Sequence, residues 1–182
     1  MGLKNKISPN NLYYLTTTVI GWVDVFTRTI YRDIVIDSLK YCQKEKGLTL
    51  YAWSLMSNHL HWIASAEEGF NLSDIIRDFK KYTSKKIINE ILTNPKESRK
   101  EWMLAIFKEA LNDNPKNKYY KFWQDGNEAK ELITNNFIDQ KVNYIHNNPV
   151  KAEIVKHPED YIYSSASNYA DEGGLLDVVV IK

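Results

Sequence analysis

The sequence predicts an α+β fold, an antiparallel sheet with helices on one face plus a helical insertion. Three observations carry that expectation. The elements run strand, helix, two strands, helix, strand, helix. The two middle strands, Leu48–Met56 and His59–Ser65, are separated only by the turn signal Ser57-Asn58, as in a hairpin. The helical stretches each carry an apolar stripe of helical period. With 182 residues and 43% hydrophobic content, the chain suits one domain with a real core.

The polar stretch Met1–Asn11 reads as a lead-in. Leu12–Val19, LYYLTTTV, is rich in aromatic and β-branched residues and reads as the first strand. Gly21–Phe26 follows as a loop or bent strand end. Arg32–Lys46 has a stripe of Ile34, Val35, Leu39 and Cys42, and Gly47 suits the position just past a helix end. The next helix opens with Asn71 or Ser73 as N-cap and Asp74 in its first turn, and runs to about Leu92. Its stripe is Ile75, Ile76, Phe79, Ile87, Ile88 and Ile91.

Thr93–Lys118 reads as an insertion. Pro95 and Pro115 bracket a helix, Arg99–Leu111, with Trp102, Met103, Ile106, Phe107 and Ala110 on one face. Tyr119–Gln124, YYKFWQ, is the next strand candidate, and Asp125-Gly126-Asn127 a turn. The last main helix, Asn136–Asn147, has Phe137, Val142 and Ile145 as core contacts and is expected to end before Pro149. The LLDVVVI run, Leu175–Ile181, reads as a strand by composition. The expected organisation is one domain over 1–182, with a core at 12–169, the insertion at 93–118 and a tail at 170–182. The element order is close to a split β-α-β arrangement of the ferredoxin-like kind, with the 59–65 strand central.

The net charge of +1 does not announce a nucleic-acid binder, so any such signal must be local. A single cysteine, Cys42, leaves no internal disulfide framework and fits a reducing cytoplasm. No apolar run reaches membrane-spanning length. A local signal exists: Arg77, Lys80, Lys81, Lys85 and Lys86 stand against Asp78 alone between residues 77 and 86. Such a run is either a solvated helix face or a phosphate-contacting one, with Tyr82 beside it able to stack on a base.

The chemistry centres on His59 and His61. On a strand, i and i+2 share a face, about 6.6 Å apart along the backbone. Leu60 and Trp62 then face the other way. Two imidazoles so placed can direct nitrogens at one divalent metal, although by spacing alone an inert pair is the commoner outcome. Tyr144 and Asn148, at i and i+4, share a helix face if helical geometry persists to Asn148. Singly, Tyr144 reads as a core aromatic and Asn148 as a helix end before proline. Together with the histidines they suggest a metal held by two imidazoles and an amide oxygen, and a tyrosine hydroxyl as covalent nucleophile.

The chain resembles the single-tyrosine HUH transposases, especially the REP-associated tyrosine transposase branch. The resemblance rests on MSNHLHWI within Trp53–Ile63, on Phe122-Trp123-Gln124, on YIHNNPVKAEIV from Tyr144 to Val155, and on Tyr161–Ser165, in order between about 12 and 169. It implies a ferredoxin-like domain, Mg²⁺ or Mn²⁺ as cofactor, and cleavage and rejoining of single-stranded DNA near hairpins. Carried over, His59 and His61 are metal ligands, Asn148 the third, and Tyr144 forms a 5′-phosphotyrosine. Tyr82 is the alternative nucleophile, disfavoured because Lys86 stands where an amide ligand is wanted. DNA contacts are expected from Arg77, Lys80, Lys81, Lys85, Lys86, Lys141 and Lys151. A non-catalytic hairpin-binding module and a small-nucleotide phosphodiesterase are the competing readings. A homodimer is left open.

Overall fold

The computed structural model describes residue 7 and residues 11–111 and 119–181. Expectations placed on most of the lead-in and on the Pro115 boundary lie outside the described residues.

Four antiparallel strands form one sheet in the order β2-β3-β1-β4: β1 Tyr13–Thr18, β2 Leu48–Leu55, β3 His59–Ala66 and β4 Lys130–Glu131. This is the order a split β-α-β arrangement produces. β3 is central, paired to β2 through the tight hairpin and to β1 with Thr16 opposite His61 and Thr18 opposite His59.

Alternation along the strands divides the core in two. Leu15, Leu60, Trp62 and Ala64 face α1 (Thr29–Lys46) and α2 (Leu72–Thr93) in the larger cluster. Tyr14, Ala52 and Ile63 face α4 (Asn135–Lys151), meeting Val142 and Ile145. Helices α1 and α2 share one face as expected, but α4 does not join them: its apolar Val142 and Ile145 cover part of the other face, which the sequence leaves open for a ligand.

The local signals act as read for α1 and α2. Gly47 closes α1 in the left-handed conformation at φ 64°, its N–H bonded to the Cys42 carbonyl. Asn71 Oδ1 accepts from the Ser73 and Asp74 N–H groups at the start of α2. All six stripe residues of α2 are buried.

Other expectations are corrected. YYKFWQ is not a sheet strand: only Trp123 bridges to Val19, and the fourth strand is Lys130–Glu131. Phe122 and Trp123 instead insert their rings into the core, stacking around Phe26, Phe79 and Phe107. The tail is not a strand either. It touches the outer edge of β2 through one backbone bond, Val179 N–H to the Leu50 carbonyl. Further along that edge, Leu55 N–H donates to the Tyr163 carbonyl and Ser165 N–H to the Trp53 carbonyl, so that end of β2 is already taken. Helix α4 runs through Pro149 to Lys151. Near a helix end the proline forfeits only the bond to the Ile145 carbonyl, and Ala152 N–H to Asn148 O closes the next turn. In α3 (Lys100–Glu109) Met103 and Phe107 are buried, whereas Trp102 is exposed.

The insertion is tied to the body by a buried carboxylate. Glu97 accepts from Tyr31 Oη at 2.8 Å and from Arg99 at 2.9 and 3.0 Å, with Arg28 at 3.2 Å. Burial alone would raise its pKa, but the Arg99 and Tyr31 hydrogen bonds outweigh it and bring the carboxyl down to about 2. The folded pKa is depressed, so this contribution is complete above the ordinary value of 4.5 and is lost as pH falls toward 2. Glu97→Ala, which strands two guanidinium groups, is expected to cost about 3–5 kcal/mol in a urea melt at neutral pH. A loss below 1 kcal/mol would show the network to be dispensable. No helix among the described residues is long and apolar enough to cross a membrane.

Candidate active site

His59 and His61 project from β3 toward the α4 side of the sheet, their ring centroids 4.6 Å apart. The hydrogen bonds behind them decide which nitrogen each presents. Asn58 Nδ2 donates to the Trp22 carbonyl at 3.1 Å and to Asp24 Oδ1 at 2.9 Å. Both partners only accept, which sets the orientation of the amide. Its Oδ1 then meets His59 Nδ1 at 2.6 Å. A carbonyl oxygen can only accept, so Nδ1 carries the proton and Nε2 of the neutral ring keeps its lone pair. The chain Asp24–Asn58–His59 is the kind of outer support that orients metal-ligating imidazoles.

His61 is held from β1. Its Nδ1 lies 3.0 Å from Thr16 Oγ1 and 2.9 Å from Tyr14 Oη, and Thr16 Oγ1 donates to Tyr14 Oη at 3.3 Å. The arrangement that frees Nε2 has Nδ1–H donating to the Thr16 hydroxyl, whose own O–H donates to the Tyr14 oxygen. Burial pushes the Tyr14 phenol up to about 12, so it stays a neutral hydroxyl. Burial, with the neighbouring His59 and Lys141 charges adding to it, brings His61 down to about 3. Burial also lowers His59, against the pull of Asp24. Both rings are therefore neutral at neutral pH, the form a metal requires.

Helix α4 carries Tyr144 to this pair within the same chain. Its ring centroid is 5.3 Å from that of His61 and 6.3 Å from that of Tyr14, edge-on to both. Tyr144 is 38% exposed, so the residue is open to solvent. Lys141 Nζ lies 5.4 Å and Lys151 Nζ 5.6 Å from the Tyr144 ring centre. Two cations therefore flank the tyrosine, where a phosphate would need them.

Asn148 lies one turn beyond Tyr144 in α4, and its Nδ2 is buried without a hydrogen-bond partner. A half-turn of the amide puts the oxygen in that position. Among the described residues, no group of three or more His, Cys, Asp or Glu side chains could hold a metal ion. Two neutral imidazoles and an amide oxygen are donors of the kind a divalent cation takes.

The basic face of α2 lies across the sheet from this site. Lys81, Lys85 and Lys86 are exposed and line a groove of about 1280 Å³ between α2 and residues 119–127. Lys80 departs from the expectation. Its ammonium is turned inward and donates to Gln124 O, Gly126 O and Asn127 Oδ1 at 2.7–3.2 Å, filling all three of its donor positions. Arg77 is paired with Asp74 and Asp78. Tyr82 is 51% exposed with Lys86 over its ring, on a helix that packs against the opposite face from the histidines.

The residues that orient the histidines, Asp24, Asn58, Tyr14 and Thr16, were not singled out from the sequence. The alternation of Tyr14 and Thr16 around buried Leu15 was visible, but only the strand register reveals that they face His61. His146 was missed as well. It is buried in α4 and bonds Ser165 Oγ at 2.8 Å, joining the helix to the segment along β2. Burial brings its pKa down to about 4.

A family model described as "Transposase IS200 like" matches residues 12–107, just over half of the chain. A REP-associated tyrosine transposase, solved bound to a REP hairpin, superposes with a TM-score of 0.64 at 16% identity, over 100% of this chain and 97% of that one. A crystal structure of a protein from Deinococcus radiodurans described as a transposase gives a TM-score of 0.42 at 16% identity, over 80% of this chain and 97% of that one. No curated protein matches.

Proposed function

The chain belongs to the IS200-like transposase family, and from that membership we propose that it cleaves and rejoins single-stranded DNA near hairpins, with Tyr144 as nucleophile. The observation that supports this most is the Tyr144 ring 5.3 Å from His61 in one chain, beside two lysines. In the proposed reaction the Tyr144 hydroxyl loses its proton and its oxygen attacks the scissile phosphorus. The bond to the 3′ oxygen breaks, that oxygen takes up a proton, and the 5′ phosphate remains on the tyrosine. Attack by a 3′ hydroxyl on this linkage rejoins a strand and restores the phenol.

His59, His61 and Asn148 would hold the divalent metal, Mg²⁺ or Mn²⁺. When bound, the ion supplies electrostatic stabilisation of the charge gathering on the phosphate oxygens. Lys141 and Lys151 bind and orient the phosphate beside Tyr144. Hairpin DNA as the partner is supported by the solved relative bound to a REP hairpin.

The test is a denaturing gel of the protein with Mn²⁺ and labelled hairpin oligonucleotides taken from the DNA flanking the gene. A protein band that keeps the label through denaturation is the expected result. Tight binding with no such band from any flanking hairpin would favour a non-catalytic hairpin binder.

The exposed lysines of α2 are proposed as the distal DNA contact, with Lys80 left out because its donors are filled. Neutralising Lys81, Lys85 and Lys86 together is expected to flatten the slope of log K against log salt by roughly 2–3, at about 0.7–0.9 per lost phosphate contact. An unchanged slope would return these residues to a plain solvated face.

A further inference from the structure

Trp22 is placed at odds with its chemistry. Its side chain is 58% exposed, and its backbone is left-handed at φ 55°, directly after Gly21 at φ 62°. A left-handed backbone disfavours a bulky residue, and an exposed indole gains little from burial. Neither local preference nor core packing accounts for a tryptophan here. Strained positions of this kind gather where a ligand is handled.

The surroundings hold the residue in place. Trp22 N–H donates to the Val19 carbonyl at 3.1 Å, and its own carbonyl accepts from Asn58, the residue that orients His59. A Cβ on Gly21 would come within 3.0 Å of Ile106, so α3 backs the turn closely. Arg99, at the start of α3, donates to the Asp24 carbonyl at 2.9 Å. The helical insertion therefore buttresses the loop that carries Trp22. The indole ends 5.8 Å from the His59 ring, edge-on, while Tyr144, with Lys141 and Lys151 near its ring, stands by the other histidine.

We propose that Trp22 is a stacking platform for an unpaired nucleobase next to the phosphate handled at the histidine pair. The inference rests on the proposed function for its ligand class. An exposed indole by one histidine, with two lysines at the tyrosine by the other, matches a polyanion that carries flat rings, which is single-stranded nucleic acid. Bases inside a duplex are stacked and paired already and cannot lie on it.

The test uses the full chain with a short oligothymidylate and with a blunt DNA hairpin lacking unpaired flanks. Trp102 is the other exposed indole, at 47%, so Trp102→Phe serves as the background for fluorescence. In that background oligothymidylate is expected to quench the emission and the blunt hairpin is not. Trp22→Leu should weaken oligothymidylate binding roughly five- to a hundredfold and leave the blunt hairpin unaffected, with Trp22→Phe recovering most of the loss. Trp22→Gly suits the backbone and should melt no lower than the parent while showing the same affinity loss. A markedly lower melting temperature in Trp22→Gly would assign the indole a packing role and overturn the proposal. So would absent quenching together with unchanged affinity in Trp22→Leu, even where the covalent adduct forms normally. Quenching and single-strand preference without any adduct would keep the platform and remove the transferase reading.

Discussion

Tyr144→Phe is expected to abolish the covalent protein–DNA adduct and leave DNA binding close to wild type. The substitution removes one oxygen. The ring remains, with its edge contacts to His61 and Tyr14 and with Lys141 and Lys151 over it. No other phenol stands ready to replace it. Tyr14 is buried, and its hydroxyl is committed to His61 and Thr16 with its pKa pushed up to about 12. Tyr82 is across the sheet. The rate of strand transfer should therefore fall on the order of 10⁴-fold or more, as when a covalent nucleophile is deleted. Affinity for hairpin DNA, read by fluorescence anisotropy, should change by less than about tenfold, the worth of one hydrogen bond. Tyr82→Phe should keep the adduct. An adduct that survives Tyr144→Phe and disappears in Tyr82→Phe would keep the reaction class and move the nucleophile.

His61→Ala should cost the chain its divalent-metal binding. His61 is buried with Nδ1 engaged, so the freed Nε2 is the one nitrogen it can offer. Binding of Mn²⁺, followed by calorimetry or by the resonance signal of the free ion, is expected to weaken on the order of 100-fold or more. Asn58→Ala tests the tautomer argument separately. Asn58 is not placed among the ligands, but without it His59 Nδ1 loses the acceptor that keeps the proton off Nε2. A loss of about 10–100-fold is expected from such outer support. Unaltered Mn²⁺ affinity in both variants, with unaltered melting, would remove the pair as a metal site. The pH profile adds a check. Because His61 is held at about 3 and His59 is lowered from 6.5, protons compete only in acid. Mn²⁺ affinity should stay level as pH falls through 6.5 and decline only in more acid solution. A midpoint at 6.5 would mean rings with ordinary solvation.

Much of the fold was legible in the chain because its signals are local. The i, i+2 spacing of His59 and His61 puts both on one strand face whatever the partner strand. The α2 stripe, the Asn71 cap and the left-handed Gly47 act through neighbours a few residues away. Where a local signal competed with long-range burial, burial decided. YYKFWQ has the composition of a strand, yet Phe122 and Trp123 bury their rings in the core with a single bridge, Trp123 to Val19, to the sheet side of the chain. LLDVVVI meets β2 through one backbone bond, Val179 to Leu50, beside the Trp53–Leu55 end that residues 163–165 already bond.

By itself, then, the sequence determined the element order and the shared face of the two histidines, whereas the structure, by carrying α4 through Pro149 to Lys151, put Asn148 on the same helix as Tyr144. The tertiary structure alone decided which side of the sheet α4 would take, since Phe137, Val142 and Ile145 suit any apolar surface. It decided that Lys80 turns inward to the 124–127 turn while Lys81 stays in solvent, a difference of one residue on a helix. It also decided which groups meet the histidine nitrogens. Asp24, Asn58, Tyr14 and Thr16 reach the histidines through strand register and loop packing. Contacts between residues dozens of positions apart are set by how the whole chain buries its apolar surface, and that is not written in any one stretch of it.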